Sequence, residues 1–215
     1  MTPEFIGISG SPIPHSNTDR IIQHMLEATG RPTEFVKLSR LNIRPCLGCK
    51  QCVEDNICKV KDDFPALAET LKSAQGIILG AYTPYSQIDA FTKALLERFW
   101  SLRHVNHCLA GKQAATVVTG LNPAATETVT QAMKLELEIY EGMVLAGQLQ
   151  LPGNLPCVTC GRGDDCPQSG KPLLHGPDTP CDQISYARVE DRDDLWKKAQ
   201  EIGGNMAKAS MAGKH

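Results

Sequence analysis

The 215 residues contain no apolar run near the ~18 residues that a membrane-spanning helix needs, which excludes an integral membrane helix. No basic, apolar leader opens the chain, since Met1-Thr2-Pro3-Glu4 leads straight into a strand-like stretch. There is no excess of positive charge either: 22 Lys and Arg stand against 24 Asp and Glu, a formal −2, which argues against nucleic acid as a partner. Internal repeats and low-complexity tracts are missing. The Gly-Lys-Ser/Thr of a P-loop and the three-glycine dinucleotide fingerprint are missing too. Nine cysteines are present, but a chain this long buries roughly 70% of its unfolded surface and needs no disulfide staples. The expected compartment is the reducing cytoplasm, where clustered thiols do metal or redox work.

Four of the nine fall within thirteen residues, Cys46-Leu-Gly-Cys49-Lys-Gln-Cys52-Val-Glu-Asp-Asn-Ile-Cys58. Thiols two residues apart cannot all pair without strain, whereas a loop can wrap them around a compact inorganic core. Three cysteines at consecutive two-residue intervals favour an iron–sulfur cluster over zinc, whose ligands usually come as two separated pairs. Zinc and a redox or structural thiol loop stay open.

Strands alternate with helices along the first two thirds of the chain. Phe5–Ser9, Thr33–Leu38, Gly76–Ala81, Ala114–Thr119 and Met143–Gly147 read as strands. The helices begin near Ser16, run from Asp62-Asp63 to Ser73, and span Asp89–Leu109 and Thr126–Glu141. Such alternation implies parallel pairing with right-handed crossovers. The predicted fold class is α/β, a flavodoxin-like doubly wound five-stranded parallel sheet in the order 2-1-3-4-5. Residues 1–147 form this domain, with the cysteine loop at 42–61. Residues 148–215 form a Cys-rich C-terminal appendage and a last helix over Val189–Ser210.

The loop after the first strand carries Ser9, Gly10, Ser11, Pro12, Ser16, Asn17 and Thr18. Hydroxyl and amide groups beside free helix N–H groups make a phosphate cradle, and a mononucleotide such as FMN fits it better than a dinucleotide. Two further loops reach the same sheet edge. Tyr82, Thr83, Pro84, Tyr85 and Ser86 follow the third strand, with two aromatics to cover a flavin ring. Thr119, Gly120, Leu121 and Asn122 follow the fourth, with backbone donors for the ring's polar edge.

The block from Leu41 through Cys46, Cys49 and Cys52, then Cys58-Lys-Val-Lys-Asp62-Asp63, resembles the iron–sulfur flavoproteins, a branch of the NADPH-dependent FMN reductase superfamily. Lys93-Ala-Leu-Leu-Glu-Arg98 fits the same family. In this chain Tyr82-Thr83-Pro84-Tyr85 replaces the family's usual Pro-x-Tyr. The resemblance covers residues 4–147 and implies FMN, a 4Fe-4S cluster on Cys46, Cys49, Cys52 and Cys58, and a homodimer or homotetramer. The resulting expectation is an FMN- and cluster-dependent electron-transfer oxidoreductase that serves a redox partner protein or a small-molecule acceptor. An NAD(P)H-dependent flavin or quinone reductase with structural or zinc-bound cysteines is the alternative, and a non-enzymatic metal-binding or redox-sensing module is a third.

Cys157, Cys160, Cys166 and Cys181 make a second set, a C-x2-C knuckle followed by glycines. It is a candidate for a second metal or cluster, with free thiols or a redox disulfide as the other readings. Cys108 reads as a small core residue near the end of a helix.

Overall fold

The computed structural model describes residues 2–212. Five parallel strands, β1 (Phe5–Ser9), β2 (Thr33–Lys37), β3 (Gly76–Tyr82), β4 (Gln113–Gly120) and β5 (Val144–Pro152), pair in the order 2-1-3-4-5. The expected doubly wound sheet is the sheet observed. Its strands are joined through helices α1 (Asn17–Ala28), α2 (Phe64–Ser73), α3 (Ala90–Phe99) and α4 (Pro123–Lys134). After β5 come two short helices, α5 (Pro156–Thr159) and α6 (Lys171–His175), and the terminal α7 (Asp193–Ala212).

Period-two alternation along the strands splits the apolar side chains into two cores. Ile6, Ile8, Ile77, Leu79 and Ala114 face one side, where Leu67 and Leu71 of α2, Leu95 and Phe99 of α3 and Met133 of α4 cover them. Phe5, Ile78, Ala115, Val117 and Leu149 face the other, under Ile22 and Met25 of α1 and Ile202 and Met206 of α7. Both faces of the sheet are thereby dry, and ligand access is left to the loops at the carboxyl ends of the strands.

Several element boundaries differ from expectation. The helix read over Asp89–Leu109 stops at Phe99 and passes into a 3₁₀ turn at Trp100–Leu102. Asn56, from the cysteine loop, accepts the backbone N–H groups of His104 and Val105 at 2.7 and 3.0 Å, so they are not available to a continuing helix. Cys108 therefore sits on a loop, partly buried against the core. The fourth helix starts earlier than Thr126, at Pro123, because Asn122 caps it, and it ends in a π-helical turn over Leu135–Tyr140. Last, β5 runs on to Pro152, and the terminal helix begins at Asp193 after a 3₁₀ turn at Val189–Asp191.

Candidate functional site

The loops after β1, β3 and β4 meet at one edge of the sheet. Gly10 donates its N–H to Gly80 O at 2.8 Å. Only glycine fits there, since a Cβ would stand 2.0 Å from Thr92 Oγ1 and 2.7 Å from the Asp89 carboxylate. Ser9 is buried, its hydroxyl donating to Asp19 Oδ1 at 2.6 Å, while Ser11 N–H donates to Ser9 Oγ. Lys37 Nζ binds Asp19 Oδ2 at 2.6 Å and the carbonyl of Ile13 at 2.8 Å. This buried pair, each side chain 5% exposed, fixes the shape of the loop. Ser16 caps α1 by accepting Asp19 N–H, and Pro12 is exposed. Thr18 and Thr119 share a hydrogen bond of 2.8 Å that ties the first loop to the end of β4.

Asn17 is turned away from the loop. Its Nδ2 donates to Ala187 O at 2.7 Å, and its Oδ1 accepts from Val189 N–H and Arg20. On the β3 loop, Thr83 N–H donates to Thr119 O, Tyr82 is half-buried, and Tyr85 and Ser86 are exposed in left-handed backbone, with φ 49° and 61°. Asp89 caps α3 from a fully buried position and accepts N–H groups of Thr92 and Tyr82 at 2.8 and 3.1 Å. Burial raises its carboxyl above the usual range even against those hydrogen bonds. Burial, and then the Asp89 charge, raises the Tyr82 phenol as well. Leu121 is exposed after Gly120, and the Asn122 side chain is engaged in capping α4.

The cysteine loop lies between β2 and α2. Its ends are held by Asn42 N–H to Asp63 and Arg44 N–H to Asp62, at 2.7 and 3.0 Å. At its base Arg98 of α3 has no exposed side-chain surface, yet it binds Asp62 at 2.5 Å, Arg44 O at 2.9 Å and Cys58 Sγ at 3.2 Å. The guanidinium also lies over the Phe64 ring, 4.5 Å from its centre. Burial works against the Arg98 charge, but the hydrogen bonds and charges of Asp62 and Cys58 outweigh it and raise the pKa. Cys52 is buried, Cys58 half-buried, and Cys46 and Cys49 exposed. Burial raises the Cys52 thiol, and the charges of Cys58, Cys46 and Cys49 add to that rise. Gly48 N–H points at Cys46 Sγ over 3.4 Å. Among the described residues, no three His, Cys, Asp or Glu side chains stand at metal-binding geometry. A cavity of about 490 Å³ opens beside Cys46, lined also by Lys50, Lys93, Trp100, Arg103 and Glu136.

A family model described as NADPH-dependent FMN reductase matches residues 3–154. The chain belongs to this family. Within it, the chain groups with the iron–sulfur flavoproteins: it is 32% identical over 145 residues to one from Methanocaldococcus jannaschii, over 66% of this chain and 75% of the relative. Identity and coverage are the same for an iron–sulfur flavoprotein of Methanosarcina thermophila. Among solved structures, RosB with a bound 8-demethyl-8-formylriboflavin-5'-phosphate intermediate superposes with a TM-score of 0.68 at 13% identity, over 98% of this chain and 79% of that one. That likeness concerns the fold. This member of the FMN reductase family is a flavin-dependent oxidoreductase, and FMN is the flavin that the family supports.

The residues at the sheet edge fit a flavin mononucleotide. A capped helix N-terminus faces the loop, its first turn supplies a positive dipole end, and small hydroxyl side chains surround it. The thiol loop fits a cluster by its donor set, four soft sulfurs with a backbone N–H and a guanidinium directed at two of them. Asp19, Lys37, Asn56, Asp89 and Arg98 shape both regions but had no role assigned from sequence. Only Arg98 had a signal, its place in the Lys93–Arg98 block. The second cysteine set lies in the segment between β5 and α7, with Cys157 and Cys181 half-buried and Cys160 and Cys166 exposed.

Proposed function

We propose that this protein transfers electrons between FMN at the edge formed by the β1, β3 and β4 loops and a 4Fe-4S cluster on Cys46, Cys49, Cys52 and Cys58. The observation that carries the reading is Arg98. An arginine without exposed surface is costly unless it is paired, and here its partners are a carboxylate and the sulfur of Cys58. A cation at that sulfur favours thiolate, the form that ligates iron. When bound, the cluster exchanges single electrons and the flavin stores two, so the pair converts between one- and two-electron chemistry.

The chain's own groups have distinct parts. Ser11, Ser16, Thr18 and the α1 N-terminus hold the phosphate, with Ser9, Asp19 and Lys37 keeping the loop in shape. Tyr82, Thr83, Pro84, Tyr85 and Ser86 border the ring, as do backbone groups of Thr119, Gly120, Leu121 and Asn122. The acceptor is a redox partner protein or a small molecule. A homodimer or homotetramer forms through the face that carries Trp100 and the π-helical turn.

The test is Cys49→Ser, purified without oxygen beside the wild type. The wild type is expected to be brown, with four iron, four sulfide and one FMN per chain, and the variant yellow with FMN alone. Serine is a poor ligand for iron, and the phosphate loop is elsewhere. Iron content unchanged in the variant rejects the ligand set, and a wild type lacking iron rejects the cluster.

A further inference from the structure

We propose that Cys157, Cys160, Cys166 and Cys181 bind one zinc ion as a structural tetrathiolate site, and that this ion fixes the segment between β5 and α7 beside the phosphate loop. The segment has almost no core of its own. Of the apolar side chains between 153 and 188 only Val158 is buried, while Leu173, Leu174 and Tyr186 are exposed. The entropy lost in ordering each residue of this stretch adds up to far more than the burial of one valine returns. Something other than apolar burial must hold this stretch.

Backbone N–H groups face the sulfurs of the Cys157–Cys160 knuckle. Gly161, immediately after Cys160, has φ +72°, a left-handed position that turns the next N–H back onto the knuckle. Arg162 N–H then lies 3.4 Å from Cys160 Sγ, and Gly170 N–H 3.3 Å from Cys157 Sγ. Cys160 Sγ and Cys181 Sγ both approach the carbonyl of Cys157, at 3.3 and 3.9 Å. Gly163 passes between them: a Cβ there would be 2.7 Å from Cys181 Sγ and 2.1 Å from Cys157 O. Any side chain at 163 would occupy the space between Cys157 and Cys181.

A charge pair between buried Lys171 and exposed Asp164 holds the far ligand in place. Lys171, 5% exposed, binds Asp164 at 2.7 Å and Thr179 O at 2.8 Å, and Asp164 accepts the N–H of Cys181 at 3.0 Å. The sulfurs still have to close by a further step, since no three of them stand at metal-binding geometry among the described residues. The spacing, one C-x2-C knuckle with two cysteines set apart from it, suits a tetrahedral zinc site. It lacks the two consecutive two-residue intervals of the Cys46–Cys52 run.

The site is independent of the cluster assigned to the first cysteine set, and separate variants keep the two apart. Zinc, iron, sulfide and FMN are to be measured per chain in the full-length protein, purified without oxygen from medium containing zinc and iron. One zinc per chain is expected, falling at least tenfold in Cys160→Ser and Cys181→Ser with iron and FMN unchanged. Cys49→Ser should keep its zinc. Zinc absent from the wild type, or retained in both variants, overturns the proposal. Loss of iron in place of zinc from Cys160→Ser overturns it too, in favour of a second cluster. Should a variant fail to fold, as loss of its FMN would show, the wild type treated with a zinc chelator gives the same reading. Tryptic cleavage after the exposed Arg162 is expected to accelerate at least tenfold once zinc leaves while FMN stays bound, and an unchanged rate rejects the structural role.

Discussion

Arg98 and Glu141 are the two charges whose surroundings decide most about this protein. Arg98 joins α3, Asp62 and Cys58 without access to water, so removing it strands the Asp62 carboxylate. Asp62 is buried, but its bonds to Arg98 and to the N–H groups of Arg44 and Phe64 lower its pKa, and it stays charged near neutrality. Arg98→Met should therefore cost about 3–5 kcal/mol, read as a lower urea midpoint, and should reduce the iron bound per chain. A midpoint within error of wild type rejects the coupling. Glu141, 1% exposed, lies 3.6 Å from Arg103 with Oε1 lacking a hydrogen-bond partner. Burial, with some help from the Glu136 charge and against the pull of Arg103, raises its carboxyl from 4.5 to about 7. The folded state thus favours the protonated acid. Its contribution to stability is complete below pH 4.5 and fades as the pH rises through about 7, a loss on the order of 3 kcal/mol. Glu141→Gln should flatten this part of the stability profile and be the more stable protein at pH 8. Denaturant titrations of both proteins at pH 5 and pH 8 check it, and parallel profiles would count against the assignment.

Among the elements, the β1–α1 loop is built from parts with separable duties. Ser11 is buried within the loop, whereas Asn17 fastens the segment before α7 through Ala187 and Val189. Ser11→Ala should weaken FMN about tenfold, the loss of about 1–1.5 kcal/mol from one hydrogen bond, and leave proteolysis unchanged. Asn17→Ala should do the reverse, speeding tryptic cleavage after Arg188 with little effect on FMN. Flavin titration of the apoproteins and a protease time course separate the two, and equal effects of both substitutions on FMN would merge the roles. The position of Asn17 within the loop was readable from sequence, but its partners 170 and 172 residues away were not. The same limit explains the helix read through Leu109. Its apolar spacing continues past Phe99, and the acceptor that takes the N–H groups of His104 and Val105 comes from Asn56, with no local mark. The strands were legible because both faces of the sheet are covered, which leaves short apolar runs between helical stretches.

At the scale of the whole molecule, the proposed homo-oligomer would use the apolar surface beside the thiol loop. Trp100 at the end of α3 and Leu135, Ile139 and Tyr140 in the π-helical turn are all exposed. Arg103 reaches from the Trp100 ring to that of Tyr140, 4.8 and 5.5 Å from their centres, so these aromatics share one surface with the cavity beside Cys46. Exposed apolar clusters of this kind mark association sites, and a formal charge of −2 does little to hold two copies apart. A partner seated there would cover the exposed Cys46 end of the cluster loop and shield it from water. Ile139→Glu places a charge in the middle of that surface. By light scattering, the wild type is expected at two or four chain masses and the variant at one, with FMN content equal in both. Iron should then leave the variant several-fold faster under a chelator. A monomeric wild type at micromolar concentration, or a variant that assembles as the wild type does, would move the interface elsewhere. Assembly lost with no change in iron release would leave the interface in place and separate it from protection of the cluster.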